Sequence, residues 1–358
     1  MQYGERDHTS ERRSPVPSGP VTLADVARAA DVSLATASRV LNGSVRTVGP
    51  VLREQVLAAA AELGYRPNPA AQAMARGASD LVGLVVPDIT DPWDAEVAAG
   101  VLEVAREMGL LVSVVSTGHD PELELEHVSS MRNHRARAVV LAGSRTSGRD
   151  VGRRLAAEVE GFELAGGRVA VLGQRTLGTD TLLLENRPSA KALAASLVEQ
   201  GFERFHVLAG PKELVTARDR VAGFKDGTAG GRKSRLGEVV NGALSREGGY
   251  EAALELAASV DLRGSCVLAV SDTVAVGALA ALRERKLKVP QDVALAGFDD
   301  LPVGRETTPA LTTVALPLRD LGRRLADLAL GPLPEDDGVR VERVPGEVVH
   351  RASTKRRR

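Results

Sequence analysis

Between Ser33 and Ser44 the chain reads SLATASRVLNGS. Hydroxyls at Ser33, Thr36 and Ser38, the guanidinium of Arg39 and the amide of Asn42 crowd one short helical stretch. Such groups hydrogen-bond phosphates and their neighbours. Leu34 and Ala35 offer only apolar contact, of the kind a thymine methyl accepts, or close approach to a base. Groups suited to catalysis are harder to find. The Gly-rich segments LAGSRTSGRD and TAGGRKSRLGE lack the spacing of a dinucleotide fingerprint or a P-loop. Six histidines are scattered without metal-ligand spacing, and His119, His127 and His134 read as surface residues. Ser271–Asp272 has no histidine nearby in sequence, so a hydrolase triad lacks support. No metal, no cofactor and no enzyme activity are expected.

The elements that carry the first group are legible. Thr22, with Asp25 three positions on, has the form of a capping box and opens a helix running to Ala30. Ser33 can cap a second helix, which ends near Asn42–Gly43. A third is opened by Gly49–Pro50 and stopped by Gly64, with Leu52, Val56, Ala59 and Leu63 on one face. The first two, joined by a short break, have the layout of a helix-turn-helix. Small and branched contacts at Ala27, Val32, Ala37 and Val40 allow a close crossing. The same spacing also fits a small helical bundle with a polar surface, and spacing alone leaves both readings open. The following RPNPAAQAMARGASD, Arg66 to Asp80, reads as a linker with room for a marginal turn or two of helix.

From Leu81 the pattern changes. The runs LVGLVV, LLVSVV, AVVLAG, RVAVLG, FHVLAG, CVLAV and DVALAGF alternate with helical stretches. Continuous apolar runs belong to parallel strands buried on both faces, and their alternation with helices indicates doubly wound α/β lobes. The length favours two lobes over one sheet. Aromatics make up only 3% of 358 residues, so the cores are built from Ala, Val and Leu. The single cysteine, Cys266, starts an apolar strand and is expected to be buried and inert; it excludes an intramolecular disulfide and fits a reducing cytosol. No apolar run approaches a membrane span, and residues 1–20 read as a disordered arm without a secretory signal. A cytoplasmic location is expected. The net charge of −1 excludes a chain basic throughout but not a local nucleic-acid module. The terminal STKRRR reads as a solvated basic tail.

VTLADVARAADVSLATASRVLNGS, followed by LREQVLAAAAELGYRPNPAAQAMARG, resembles the DNA-binding headpiece and hinge of the LacI/GalR (lactose-repressor) family. The resemblance continues in GLVVPDITDPW, TARDRVAGF, REGGYEAALEL, AVSDTVAVGALAALRE, VALAGFDD and TPALTTVALPLRDLG. It implies a transcriptional regulator, most often a repressor, that binds palindromic operator DNA as a homodimer. Implied base readers are Leu34 and Ala35. Thr22, Ser33, Thr36, Ser38, Arg39 and Asn42 are implied to hold phosphates and neighbouring groups. Asn68 and Ala71 would lie on a hinge helix that folds on specific DNA. Met74 would be its apolar wedge, where the family usually has leucine, although a satellite core contact is its other reading. Asp31 stands where the family usually has glycine, in a turn that aspartate tolerates at small cost.

The resemblance also implies an architecture: an all-α headpiece (21–66), a hinge (67–79), and a periplasmic-binding-protein-like α/β core of two doubly wound parallel-sheet lobes (80–354). The first lobe would take about 80–183 and 312–332, the second about 184–311 and 333–354, with a basic tail at 355–358. Open α/β sheets bind ligands beyond the carboxyl ends of their strands. There stand Trp93, Asp94, Arg175, Thr216, Arg220, Ser271, Asp272 and Asp299. Arginine and aspartate can each hydrogen-bond two neighbouring hydroxyls, and an aromatic can stack on a sugar face. Arg220 and Asp299 match the family's effector positions, with an interlobe or capping ion pair as their other reading. Trp93, Asp94 and Thr216 fit either ligand contact or packing at the cleft lip. The family commonly has two aromatics at Trp93–Asp94, and some members stack an aromatic at the position of Leu244. Asp94 is expected to add negative charge, disfavouring an acidic effector and favouring polyols or a cation. The effector implied is a sugar or sugar derivative. The alternatives are an α/β enzyme or a solute-binding protein carrying a helical appendage.

Overall fold

A computed structural model of the protein describes residues 21–42, 48–68, 72, 79–143, 145, 148–332 and 338–355. The chain divides into two units, Met1–Ser79 and Asp80–Arg358. Among the described residues of the first unit are α1 (Leu23–Ala29), α2 (Leu34–Asn42) and α3 (Pro50–Glu62). The capping box at Thr22 forms: its hydroxyl accepts the Asp25 N–H at 3.3 Å, and the Asp25 carboxylate accepts the Thr22 N–H at 3.0 Å. Asp31 adopts a left-handed φ of 51° in the turn, the conformation a glycine would supply without strain. Ser33 caps α2 by accepting the Thr36 N–H at 3.1 Å.

Val26, Ala27, Ala37, Val56, Ala59 and Ala60 are buried together, with Val32, Val40 and Leu63 packed partly against them. Leu52, expected on the inner face of α3, is 43% exposed. Among the described residues, α3 has 13 residues against 7 and 9 in its partners, more than they can cover.

The second unit holds two parallel sheets. The first contains β1 (Leu81–Val86), β2 (Leu111–Ser116), β3 (Ala138–Leu141), β4 (Arg168–Leu172), β5 (Asp180–Leu184) and β11 (Val341–Val344), in the order β11-β5-β4-β3-β1-β2. With α4 (Pro92–Glu107), α5 (Pro121–Asn133), α6 (Arg149–Leu164) and α12 (Leu318–Leu330) it makes one lobe. The second sheet is β7 (Arg235–Asn241), β6 (Arg204–Ala209), β8 (Cys266–Ala269) and β9 (Ala294–Ala296). It packs with α7 (Asn186–Glu199), α8 (Val215–Thr228), α9 (Arg246–Ser259) and α10 (Asp272–Glu284), and a short α11 (Pro302–Glu306) follows β9. Cys266 is buried, as its apolar strand requires.

The chain crosses between lobes in its last third. β10 (Thr313–Ala315) pairs antiparallel with β12 (Glu347–Val349) and bridges the end of the second sheet at Ala296–Thr312 and Asp299–Ala315. Between them, α12 and β11 belong to the first lobe, β11 lying parallel to β5 from Val341–Thr181 to Val344–Leu184. This corrects the boundaries read from sequence: 312–332 does not lie wholly in the first lobe, nor 333–354 wholly in the second. α12 docks on α4 at near backbone contact, for a Cβ on Gly100 would meet the Arg319 carbonyl at 2.0 Å. The start of STKRRR is also not solvated. Ser353 and Thr354 are buried, and Ser353 Oγ accepts the Thr312 N–H at 2.8 Å and donates to the Leu295 carbonyl at 2.6 Å.

Candidate functional site

Two sites emerge, one in each unit. On α2, Ala37 turns inward while Leu34 is 54% exposed beside exposed Ala35 and Arg39. Thr36, Ser38 and Asn42 are half-buried along one edge. Their polar atoms hold one another in place. The Ser33 and Thr36 hydroxyls are 2.8 Å apart, and Asn42 Nδ2 donates to Ser38 Oγ at 3.0 Å. Thr22 is exposed, and its hydroxyl is engaged in the capping box. The face is therefore ordered before any ligand arrives, with one bulky apolar group and one guanidinium projecting.

Gln72 was not singled out in the sequence. Its Nε2 donates to Asn42 Oδ1 at 2.8 Å, and its backbone N–H donates to the Asn68 carbonyl at 3.0 Å. One turn of the linker is thus tied to the end of α2. Ala71 and Met74 lie outside the described residues.

In the second unit a cavity of about 470 Å³ opens at the carboxyl ends of both sheets. Its walls from the first lobe follow β1 (Asp88, Asp91, Trp93, Asp94), β2 (Ser116, His119) and β4 (Gly173). From the second come Thr216 and Arg220 on α8, Leu244 and Ser245 after β7, Ser271 and Thr273 after β8, and Asp299 after β9. Six of the eight residues read from sequence therefore line one cavity. Arg175 and Asp272 do not: Arg175 is exposed, and Asp272 is fully buried behind the wall. There Asp272 accepts the Leu301 N–H and the Thr313 hydroxyl, each at 2.7 Å, bracing the β9 and β10 ends. Burial, reinforced by the nearby Asp299 charge, pushes its pKa up to about 8.

At the base, Arg220 and Asp299 form a buried ion pair, Nη2 to Oδ1 at 2.8 Å. The guanidinium also donates from Nε to Asn186 Oδ1 at 2.9 Å and from Nη1 to the Val270 carbonyl at 2.7 Å and Asp299 Oδ2 at 3.1 Å. Its carbon sits 3.9 Å above the Phe298 ring centre. Asp299 is held at a left-handed φ of 110°, a conformation that aims its carboxylate across the strand end. Burial raises the Asp299 pKa to about 6 even with Arg220 opposing the shift. The Trp93 indole lies close enough to act on this carboxylate, yet its buried Nε1 makes no hydrogen bond of acceptable geometry.

Asp94 behaves differently from its expected role as a negative charge. Burial, followed by the charges of Asp91, Asp88 and Asp299, raises its pKa to about 8, although it accepts the Asp88 N–H at 2.9 Å. At neutral pH it is mostly a neutral acid able to donate a proton to a hydrogen bond. The charge comes instead from two carboxylates not singled out in the sequence. Asp88 accepts the Thr90 N–H and hydroxyl at 2.9 and 2.7 Å, which hold its pKa low. Asp91 caps α4 through the Trp93 N–H at 2.8 Å, with burial raising its pKa. The Asp-Pro pair at the start of α4 was the signal that could have found it. Across the opening, Gln174 Nε2 reaches Thr216 Oγ1 at 3.4 Å and the Arg145 carbonyl accepts the Val215 N–H at 3.2 Å, linking the lobes. Ser271 lines the cavity and caps α10 through the Val274 N–H at 3.2 Å. Among the described residues no cluster of His, Cys, Asp and Glu has the form of a metal site, and no helix is long and apolar enough to cross a membrane.

Comparison with known proteins assigns both units. Residues 22–68 match the model of bacterial regulatory proteins of the lacI family, and 194–354 match a periplasmic binding protein-like domain. The HTH-type transcriptional regulator GalS of Salmonella typhimurium is 31% identical over 315 residues, 87% of this chain and 89% of its own. The ribose operon repressor of Halalkalibacterium halodurans is 30% identical over 343 residues, 93% of this chain and 97% of its own. A crystal structure of the lac repressor dimer bound to operator and the anti-inducer ONPF superposes with a TM-score of 0.78 at 26% identity, covering 94% of this chain and 100% of that one. With its helix-turn-helix unit and its two-lobed α/β unit, the chain belongs to the LacI family and is a DNA-binding transcriptional regulator, not an enzyme.

Proposed function

We propose that the protein is a repressor that binds palindromic operator DNA as a homodimer and is controlled by a carbohydrate effector held between its lobes. The observation that carries the effector reading is the Arg220–Asp299 pair at the floor of a 470 Å³ cavity at the strand ends. The names of the relatives, which concern ribose and lac control, support a sugar. Trp93 would cover one sugar face while Asp299 and Arg220 take neighbouring hydroxyls; Asp94, Thr216 and Ser271 would complete the ring of polar contacts. Arg175 and Asp272 have no place in this reading. With effector-dependent lobe closure, the α12 and β11 crossings would move with the first lobe and alter hinge spacing in the dimer.

On DNA, α2 would enter the major groove with Leu34 and Ala35 towards base edges. Thr22, Ser33, Thr36, Ser38, Arg39 and Asn42 would hold phosphates and neighbouring groups. Asn68 and Ala71 would lie on the hinge, and Met74 would enter the minor groove, where unstacking costs a few kcal/mol and is offset by contacts to bent DNA. Regulation of this kind takes place in the cytoplasm. Arg39→Ala is expected to weaken binding to all sequences alike and to reduce the salt slope by about one. Changes at Leu34 and Ala35 are expected to alter which operator is preferred; equal loss on every sequence would remove them from the base-reading role. Gln72→Ala is expected to weaken operator binding roughly three- to tenfold, because the Asn42 bond helps order the linker. Fluorescence anisotropy on specific and scrambled duplexes checks all three.

The effector reading is tested by thermal unfolding against sugars and polyols. A ligand that binds only the folded state must raise the unfolding temperature. A rise that disappears in Asp299→Asn supports the reading. A folded protein that no sugar stabilises contradicts it.

A further inference from the structure

We infer that the effector carries an amine or other cationic group, received by the carboxyls of Asp88, Asp91 and Asp94, so that amino-sugars are preferred and acidic sugars excluded. The inference rests on the cavity being the effector site and names the class of ligand it takes.

Four acidic side chains reach the cavity: Asp88, Asp91 and Asp94 from the first lobe and Asp299 from the second. The only guanidinium on the wall belongs to Arg220, among the described residues. Its charge is matched by Asp299, and Asn186 and the Val270 carbonyl occupy further donors. Arg220 is therefore poorly placed to receive a phosphate or carboxylate. His119, after β2, faces Asp88 and Asp91 and offsets part of their charge. The balance remains negative and is concentrated on the first-lobe side, away from Arg220.

The three first-lobe carboxyls also act on one another. Asp94 accepts the backbone N–H of Asp88, and the charges of Asp91 and Asp88 both help keep its proton on. An ammonium group between them removes that repulsion and favours the ionised carboxyl, so binding releases a proton from Asp94 to the buffer. A neutral hydroxyl at the same point produces no such release. The two ligand types thus differ in charge dependence as well as in affinity.

The test uses the full-length protein and three matched pairs: glucose with glucosamine, galactose with galactosamine, and mannose with mannosamine. Glucose 6-phosphate and galacturonate serve as acidic probes. Calorimetry in two buffers of different ionisation enthalpy reads affinity and proton release together. Expected are an amino-sugar binding roughly tenfold or more tightly than its parent, loss of that advantage with added salt, and measurable proton release. Asp88→Asn, on an exposed side chain, is expected to reduce the advantage without unfolding the lobe, and Asp91→Asn keeps a capping residue while removing the charge. A parent sugar that binds as tightly as its amine, or an acidic sugar that binds more tightly, overturns the inference and leaves the effector reading standing. Failure of all sugars, whatever their charge, overturns both.

Discussion

Replacing Asp299 with alanine is expected to destabilise the two-lobed core by about 3–5 kcal/mol and to abolish effector binding. The large figure comes from what is left behind. Arg220 is 4% exposed, and alanine leaves its guanidinium buried without a counter-charge. The hydrogen bonds to Asn186 and the Val270 carbonyl remain, but neither is ionic. Asp299→Asn is expected to be milder, because an amide can still accept from the guanidinium and asparagine tolerates the positive φ of 110° at this position. Removing both partners, as in Arg220→Met with Asp299→Leu, is expected to recover part of the stability and none of the effector binding. Urea unfolding of the four proteins at one pH checks the series. If the alanine variant loses less than about 1 kcal/mol, the pair is not desolvated as described.

The second large effect concerns Asp94 and pH. Its pKa rises from 3.8 to about 8 on folding, so the folded protein binds more protons than the unfolded chain between those values. Stability contributed by this group therefore falls as pH rises through that window. Asp94→Asn removes the penalty while keeping an acceptor for the Asp88 N–H. The variant is expected to match the parent near pH 4 and to gain on it steadily, reaching on the order of 5 kcal/mol above pH 8. Unfolding temperatures of both proteins at pH 5, 7 and 9 measure the gap. A gap independent of pH contradicts the assignment of Asp94 as a buried neutral acid. Asp272, with its pKa also raised to about 8, shifts the parent in the same direction and cancels in the comparison.

Much of the fold could be read from the chain because its central strands are buried on both faces. LVGLVV, AVVLAG and CVLAV announce β1, β3 and β8 without reference to partners. Of the strands that escaped, β5 is apolar but short, and β7 and β11 lie where their surroundings do not force a uniform apolar run. β7 is mostly exposed along its length, with Arg235, Glu238 and Asn241 in its seven residues, so nothing in RLGEVVN separates it from a loop. β11 carries Glu342 and Arg343 at the edge of the first sheet. Which lobe it joins depends on pairing with β5, a contact across more than 150 residues that periodicity does not encode.

The site was legible to the extent that strand ends mark it. Arg220 and Asp299 were readable, and so was Trp93, but the strand-end rule gives no direction for a side chain. Asp272 follows β8 as Ser271 does, yet one residue of helix turns its carboxyl towards Leu301 and Thr313 instead of the cavity. Asp88 and Asp91 precede the expected Trp93–Asp94 pair, and only the geometry shows their carboxyls on the same wall. The charge of Asp94 was misread for a related reason: burial, not residue type, decides its ionisation. Gln72 offered no signal among the small residues of the linker.

In the proposed mechanism the cavity and α2 are coupled, so that effector at one changes DNA affinity at the other. The most direct measurement is operator affinity of the full-length protein, by anisotropy on the tightest palindrome selected from a random library, with and without the sugar that stabilises it most. The same sugar is then titrated into free and operator-bound protein. The expected result is a change of roughly 5- to 150-fold in operator affinity and an equal factor in effector affinity, as linkage requires. An operator affinity that saturating sugar leaves unchanged contradicts the claim.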